Sequence, residues 1–146
     1  MEVTTPRTPD EFARYFELRW QVLRDPFGQP RGSERDELDA EGSGTEHAVI
    51  FTDSGEAVAA GRIQLNTPEE AQVRYMAVAE SQRGLGLGRL IVRRLEEIAR
   101  SRGATYAVLN ARDEAVGFYR SLGYEVVGVG PTIFGSVTHS RMQRTL

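Results

Sequence analysis

From Gln72 to Arg102 the chain changes period in a way that few folds accommodate. Gln72–Val78 (QVRYMAV) reads as a strand. SQRGLGLGRLIV, Ser81 to Val92, then sets three glycines at alternate positions between two arginines. After that Leu87, Leu90, Ile91, Leu95, Ile98 and Ala99 recur at helical spacing, and Gly103 ends the run. Strand, glycine-rich turn and amphipathic helix together make an anion site. The first amides of a helix lack internal partners, and the aligned peptide dipoles put positive potential there. Glycines let those amides approach a bulky phosphate, and Arg83 and Arg89 add charge. A diphosphate is the natural occupant.

The flanking segments fill in a mixed fold. Residues 2–5 (EVTT) read as a short strand. Thr8-Pro9-Asp10-Glu11 opens a helix with a capping box, and the apolar spacing runs to Leu23, ahead of Pro26. Residues 25–45 are rich in turn formers and acids, with one helical turn expected near 33–39; a loop of that length reads as a binding loop. Strands are expected over His47–Thr52, Ala57–Leu65 and Gln72–Val78, joined as an antiparallel meander by the turns at Asp53-Ser54-Gly55 and Asn66-Thr67-Pro68. After the helix from Gly86 to Arg102 come a strand at Ala104–Asn110, a helix at Asp113–Leu122, and strands at Tyr124–Val129 and Ser136–Arg144. The order is β-α-loop-β-β-β-α-β-α-β-β, an α+β or mixed α/β domain spanning residues 1–146.

Composition removes several function classes. The 146 residues suit one domain, and no apolar run approaches the length of a membrane span, so no membrane partner is expected. The start MEVTTPRTPDEF lacks a secretory pattern, which points to the cytoplasm. There is no cysteine, hence no thiolate metal site and no thiol nucleophile; no metal is expected. All 18 basic residues are arginine, which excludes lysine Schiff-base chemistry. A net charge of −3 argues against a general nucleic-acid binder. The charge is segregated. Residues 24–46 carry three arginines against seven acids, and residues 83–102 carry six arginines against two, so the first suits a cationic partner and the second an anionic one.

Three anion motifs compete for the turn. A P-loop requires a lysine that the chain lacks. A dinucleotide fingerprint requires a third glycine that Gly86-Leu87-Gly88-Arg89-Leu90-Ile91 does not supply, and a parallel βαβ start rather than a meander. The spacing that matches is Arg/Gln-x-x-Gly-x-Gly, met by Arg83 to Gly88. It resembles the acetyl-CoA diphosphate loop of the GNAT N-acetyltransferases. A second stretch, Asn110 to Tyr124, resembles that family's later motif, A-x-x-F-Y-x-x-x-G-F/Y, through Ala115, Phe118, Tyr119, Gly123 and Tyr124. The resemblance covers nearly the whole chain, more weakly over residues 1–45. RWQVLRDPFGQPRGSERDE, Arg19 to Glu37, and the closing THSRMQRTL resemble a bacterial branch of that family with poorly defined substrates.

The resemblance implies a mostly antiparallel mixed sheet of about seven strands, helices on both faces, and a V-shaped cleft where two strands splay. It implies acetyl-CoA as cosubstrate, held by Met76, Val78, Arg83, Gly84, Leu85, Gly86, Leu87, Gly88, Arg89, Asn110 and Val116. Of these, Met76 and Val78 would act through their backbone, and the Val78 amide would polarise the acetyl carbonyl. Arg112 stands where many members carry an asparagine that contacts the pantetheine arm, so that contact is in question. It further implies direct attack of a primary amine on the thioester in a ternary complex, with Tyr119 as the donor to the departing thiolate. Phe118 reads as a buried aromatic. The acceptor is a small-molecule or peptide amine, and a homodimer is compatible with the resemblance. For the acceptor side and the proton acceptor, the candidates are Asp36, Glu37, Glu46, His47 and His139, with Asp39 beside them; no single base stands out. The rival readings are a non-catalytic acyl-CoA-binding or regulatory module on the same scaffold, and a nucleotide-binding domain.

Overall fold

A computed structural model describes residues 1–146. The chain builds β1 (Val3–Thr4), α1 (Pro9–Leu23), β2 (Glu46–Phe51), β3 (Ala57–Leu65), β4 (Glu70–Val78), α2 (Leu87–Ser101), β5 (Tyr106–Arg112), α3 (Val116–Ser121), β6 (Glu125–Val129) and β7 (His139–Thr145). Single 3-10 turns at Asp25–Phe27, Glu37–Asp39, Glu80–Gln82 and Asp113–Ala115 punctuate the connections. The strands form one seven-stranded sheet in the order β1-β2-β3-β4-β5-β7-β6. Every pairing is antiparallel except β4 with β5.

Local chemistry accounts for the helix boundaries. Thr8 caps α1 by accepting from the Glu11 amide at 3.1 Å, and the Glu11 carboxylate accepts from the Thr8 amide in return. α2 starts differently: Gly86, in the left-handed region at φ 79°, precedes it, and no side chain caps its first turn. α2 ends at Gly103, φ 93°. Its buried face is Leu87, Ile91, Val92, Leu95 and Ala99, whereas Leu90, expected on that stripe, is 43% exposed. Each buried aliphatic chain contributes roughly 1.5–3 kcal/mol by leaving water.

The sheet separates two cores. Alternate residues of β2 and β3 point to opposite faces: Ala48, Ile50 and Ala59 join α2 and α3, while Val49 and Ala60 join Tyr15, Phe16 and Leu18 of α1. The α1 face is thus distinct from the α2 face, and this two-sidedness governs the cleft described next. β7 lies between β5 and β6, so the last strand of the chain is interior and β6 forms the sheet edge.

Candidate functional site

The sheet opens where its one parallel pairing fails. β4 pairs β5 at Glu70↔Tyr106, Ala71↔Ala107 and Gln72↔Val108 and no further. β5 instead stays with β7 all the way to Arg112. β4 bends away because it carries a bulge. Arg74 faces Arg62 and Ala77 faces Ala60, so Gly61 alone opposes Tyr75 and Met76. Tyr75 takes the left-handed conformation, φ 55°. Gly61 must be glycine here: a Cβ would lie 2.6 Å from Met76 Sδ and 2.7 Å from Ile91. The resulting cleft, about 200 Å³, is bounded by residues 72–76 of β4, residues 109–112 of β5, Ala115, Tyr119, His139, parts of the 131–137 segment, Leu23 at the end of α1, and Arg24 and Phe27 just beyond it.

The rim of β4 offers backbone to this gap. Ala79 N donates to Val58 O at 2.8 Å, and Ala59 is the register partner of Val78. The alternation of an antiparallel ladder therefore turns the Val78 N–H away from β3, to the side that β5 has left. Along β5, Ala107, Leu109 and Ala111 belong to the core beneath α2, so Asn110 and Arg112 point to the α1 face.

Beyond Val78 the chain enters the glycine-rich turn. Gly84 (φ 81°) and Gly86 (φ 79°) both lie in the left-handed region with open space where a Cβ would stand. Arg83 and Arg89 are exposed, and no carboxylate pairs with either. An uncapped helix start, two unshielded backbone positions and two free cations make a cradle that fits a diphosphate. The third glycine has another purpose: a Cβ on Gly88 would lie 3.1 Å from the Phe118 ring and 3.5 Å from Val78 Cγ2. Gly88 and Leu87 are buried, while Leu85 is 63% exposed. Phe118, expected in the core, is 38% exposed because its ring lies over the start of α2 instead of under it.

Tyr119 reaches the cleft from the α2 face. It is 7% exposed and packs edge-on to Phe118 and Tyr124. Burial pushes its phenol pKa up, only partly offset by the Arg112 charge, so the hydroxyl keeps its proton. Val116 stands half-buried at the start of α3 against the same core. Met76 and Asn110 line the cleft, as does His139. His139 Nδ1 lies 2.9 Å from Pro131 O and 3.1 Å from Val137 O. Carbonyls only accept, so Nδ1 carries a proton, and in the neutral ring Nε2 is the acceptor.

The other acceptor-side candidates lie elsewhere. Asp36 accepts from Arg62 Nη1 at 2.6 Å and Nη2 at 3.0 Å, with Arg74 at 3.3 Å. Asp39 accepts both Arg19 nitrogens at 3.0 Å and has Arg62 at 3.1 Å. The acidic loop is thus neutralised by arginines of α1, β3 and β4 rather than held open for a cationic ligand. Glu37 is exposed. Glu46 pairs with Arg102 at the far end of α2. His47, 7% exposed, stands 2.8 Å from the Tyr15 hydroxyl, which donates to Gly61 O at 3.1 Å. Burial lowers the His47 pKa to about 4. None of Asp36, Glu37, Glu46 and His47 lines the cleft.

The sequence reading passed over Arg24, Phe27, Tyr75 and Phe134, all cleft residues. The signal available was large apolar side chains isolated in turn-rich stretches, Phe27 in DPFGQP and Phe134 in PTIFGS. Phe27 and Phe134 stack at 5.3 Å.

Comparison with known proteins adds to this geometry. A model described as the acetyltransferase (GNAT) family matches residues 12–124. The chain is 28% identical over 144 residues to a Bacillus subtilis protein named uncharacterized N-acetyltransferase YjcF, covering 99% of each. Among solved structures, an aminoglycoside 6'-N-acetyltransferase complexed with coenzyme A superposes with a TM-score of 0.81 at 18% identity, covering 99% of this chain and 97% of that one. Escherichia coli ElaA superposes with a TM-score of 0.80 at 21% identity, covering 98% and 97%.

Proposed function

The chain belongs to the acetyltransferase (GNAT) family, and from that premise we propose that it transfers an acetyl group from acetyl-CoA to a primary amine, by direct attack within a ternary complex. The observation that carries this reading is continuity. Along the chain, Met76 lines the cleft with Tyr119, Val78 turns its amide away from β3 two residues later, and the open Gly84–Gly86 turn follows.

Each group has a role that its surroundings favour. The α2 amides with Arg83 and Arg89 hold the diphosphate. The free edge of β4, Met76 to Val78, pairs with the pantetheine arm as a strand would, Asn110 bonds it from the β5 side, and Val116 walls it. The Val78 N–H donates to the acetyl carbonyl where negative charge develops. Tyr119, protonated at every physiological pH, donates to the departing thiolate sulfur. His139 Nε2, with its lone pair, takes the proton that the attacking amine must lose. With no cysteine in the chain, the acetyl group passes straight to the acceptor.

Calorimetric titration with coenzyme A tests the premise. Arg83→Ala combined with Arg89→Ala should weaken binding by about tenfold or more at low salt, because each arginine makes charge-assisted contacts. The affinity of the parent protein should fall with added salt, and that of the double variant should fall less. Equal affinity and equal salt dependence in both would put the phosphates elsewhere and end the proposal.

A further inference from the structure

The cleft carries an electrostatic preference that the acetyl donor does not explain. Its ionised lining residues are Arg24, Arg74 and Arg112, and no aspartate or glutamate joins them. Arg74 shares Asp36 with Arg62, which takes the better geometry. Arg112 has only Glu114, at 3.8 Å and 73% exposed. Arg24 is half-buried and has no carboxylate partner. Its Nε donates to Ser33 O and its Nη1 to Leu23 O, each at 3.0 Å, and its neighbours in the cleft are the Tyr75 and Phe134 rings. Burial lowers its pKa and the Arg19 and Arg74 charges add to that, with Tyr75 opposing them only in part, as expected of a cation with no carboxylate beside it. Behind this wall, Arg19, Arg62 and Arg74 share the two carboxylates Asp36 and Asp39, so neither is spare for Arg24 or Arg112.

These cations are also held in position. Arg112 lies over the Phe27 ring at 5.5 Å and Arg24 over Phe134 at 5.4 Å, and the two rings stack on each other. An aromatic pair thus stands between two guanidinium groups on the α1 side. The diphosphate cradle is at the start of α2, which packs on the other side of the sheet. The arginines of the cleft are therefore placed for a second anion.

We infer that the acceptor is an amine that itself bears an oxyanion, a carboxylate or a phosphate, clamped by Arg24 and Arg112 against the Phe27–Phe134 pair. This rests on the transferase reading above and narrows it: amino acids and phosphorylated amino sugars fit, polyamines do not. A guanidinium grips either oxyanion bidentately, and clamping that end presents the amine to the thioester.

The test uses matched amines with acetyl-CoA, following thiol release: phenylalanine against phenylalaninamide, glucosamine 6-phosphate against glucosamine, and spermidine. In at least one pair the anionic member should show about tenfold or higher kcat/KM, since a charge-assisted contact is lost in its partner. The winning pair identifies the oxyanion as carboxylate or phosphate. Arg24→Gln and Arg112→Gln should each raise KM for that amine and narrow the ratio, without changing the affinity for coenzyme A; two variants guard against one that folds poorly. Spermidine matching or exceeding the anionic amines, equal rates within both pairs, or a ratio untouched by both variants would overturn the inference. So would a preference for succinyl-CoA with uncharged amines, which would assign the arginines to the acyl group. If no amine releases thiol although coenzyme A binds, the transferase reading fails. Calorimetric titration of the same pairs into the coenzyme complex then decides the inference alone: selective binding of an anionic member upholds it, and none refutes it.

Discussion

A phenol enclosed by protein holds its proton more firmly than one in water, and Tyr119 is such a phenol. Its hydroxyl is the one part that phenylalanine would remove, since the ring contacts with Phe118 and Tyr124 would persist. Tyr119→Phe should therefore fold normally and bind acetyl-CoA as the parent does, yet lose about 10²-fold or more in kcat if the hydroxyl is the general acid. The pH profile carries a second check. An acid with a raised pKa stays protonated through the alkaline range, so parent turnover should show no fall assignable to Tyr119 up to about pH 10, the ordinary phenol value. An unchanged kcat in the variant would leave water as the donor.

At the scale of elements, the wall of the cleft depends on the loop between α1 and β2, and that loop is fastened by charge. Asp39 is where Arg19 and Arg62, both fully buried, converge. Burial alone would raise the Asp39 pKa, but the Arg19 hydrogen bonds and the arginine charges outweigh it and hold the carboxylate ionised. Asp39→Ala leaves the buried Arg19 without a carboxylate partner while Arg62 keeps Asp36, so it should cost about 3–5 kcal/mol in urea unfolding. It should cost more than Glu37→Ala, whose side chain is exposed. Equal small losses would mean that the arginines find other partners. This network also shows where the sequence ceased to be informative. Ala57–Leu65 was legible to the residue, because its turns and apolar run are local signals. β5 extends to Arg112, beyond its expected end at Asn110, because all seven of its residues pair with β7, a distant strand. The bulge at Tyr75 requires Gly61 opposite it, and the two are remote in sequence. The splay of β4 from β5 was legible only through the family resemblance. Asp36 looked open to a cationic ligand because its partners, Arg62 on β3 and Arg74 on β4, are remote from its loop in sequence. Charges within a segment were countable, but charges across the fold were not. By contrast, the glycine turn was legible because its left-handed backbone at Gly84 and Gly86 is a local property of those residues.

For the molecule as a whole, buried ionisable groups set how the fold responds to acid, and they act in two windows. His47 joins α1 to β2 and β3 through Tyr15 and Gly61 O, and burial lowers its pKa to about 4. An unfolded histidine titrates near about 6.5. Between those values the unfolded chain gains a proton that the folded chain refuses, so stability must fall with pH across that interval, by about 2 kcal/mol at pH 5. The carboxylates act lower. Arg62 hydrogen bonds lower the Asp36 pKa. Burial opposes ionisation of Glu96, but the bonds from Arg93, Arg144 and Tyr124 prevail. With Asp39, these groups add stability above about pH 4 that is lost as the folded carboxylates protonate at lower pH. His47→Gln removes the titrating ring and keeps an amide donor for the Tyr15 oxygen. The parent should lose stability in urea titrations between pH 7 and pH 5 while the variant stays nearly level, and both should then fall steeply below pH 4. Parallel losses in the upper window would show that His47 admits a proton in the folded state, and that the packing of α1 on the sheet is looser than its burial implies.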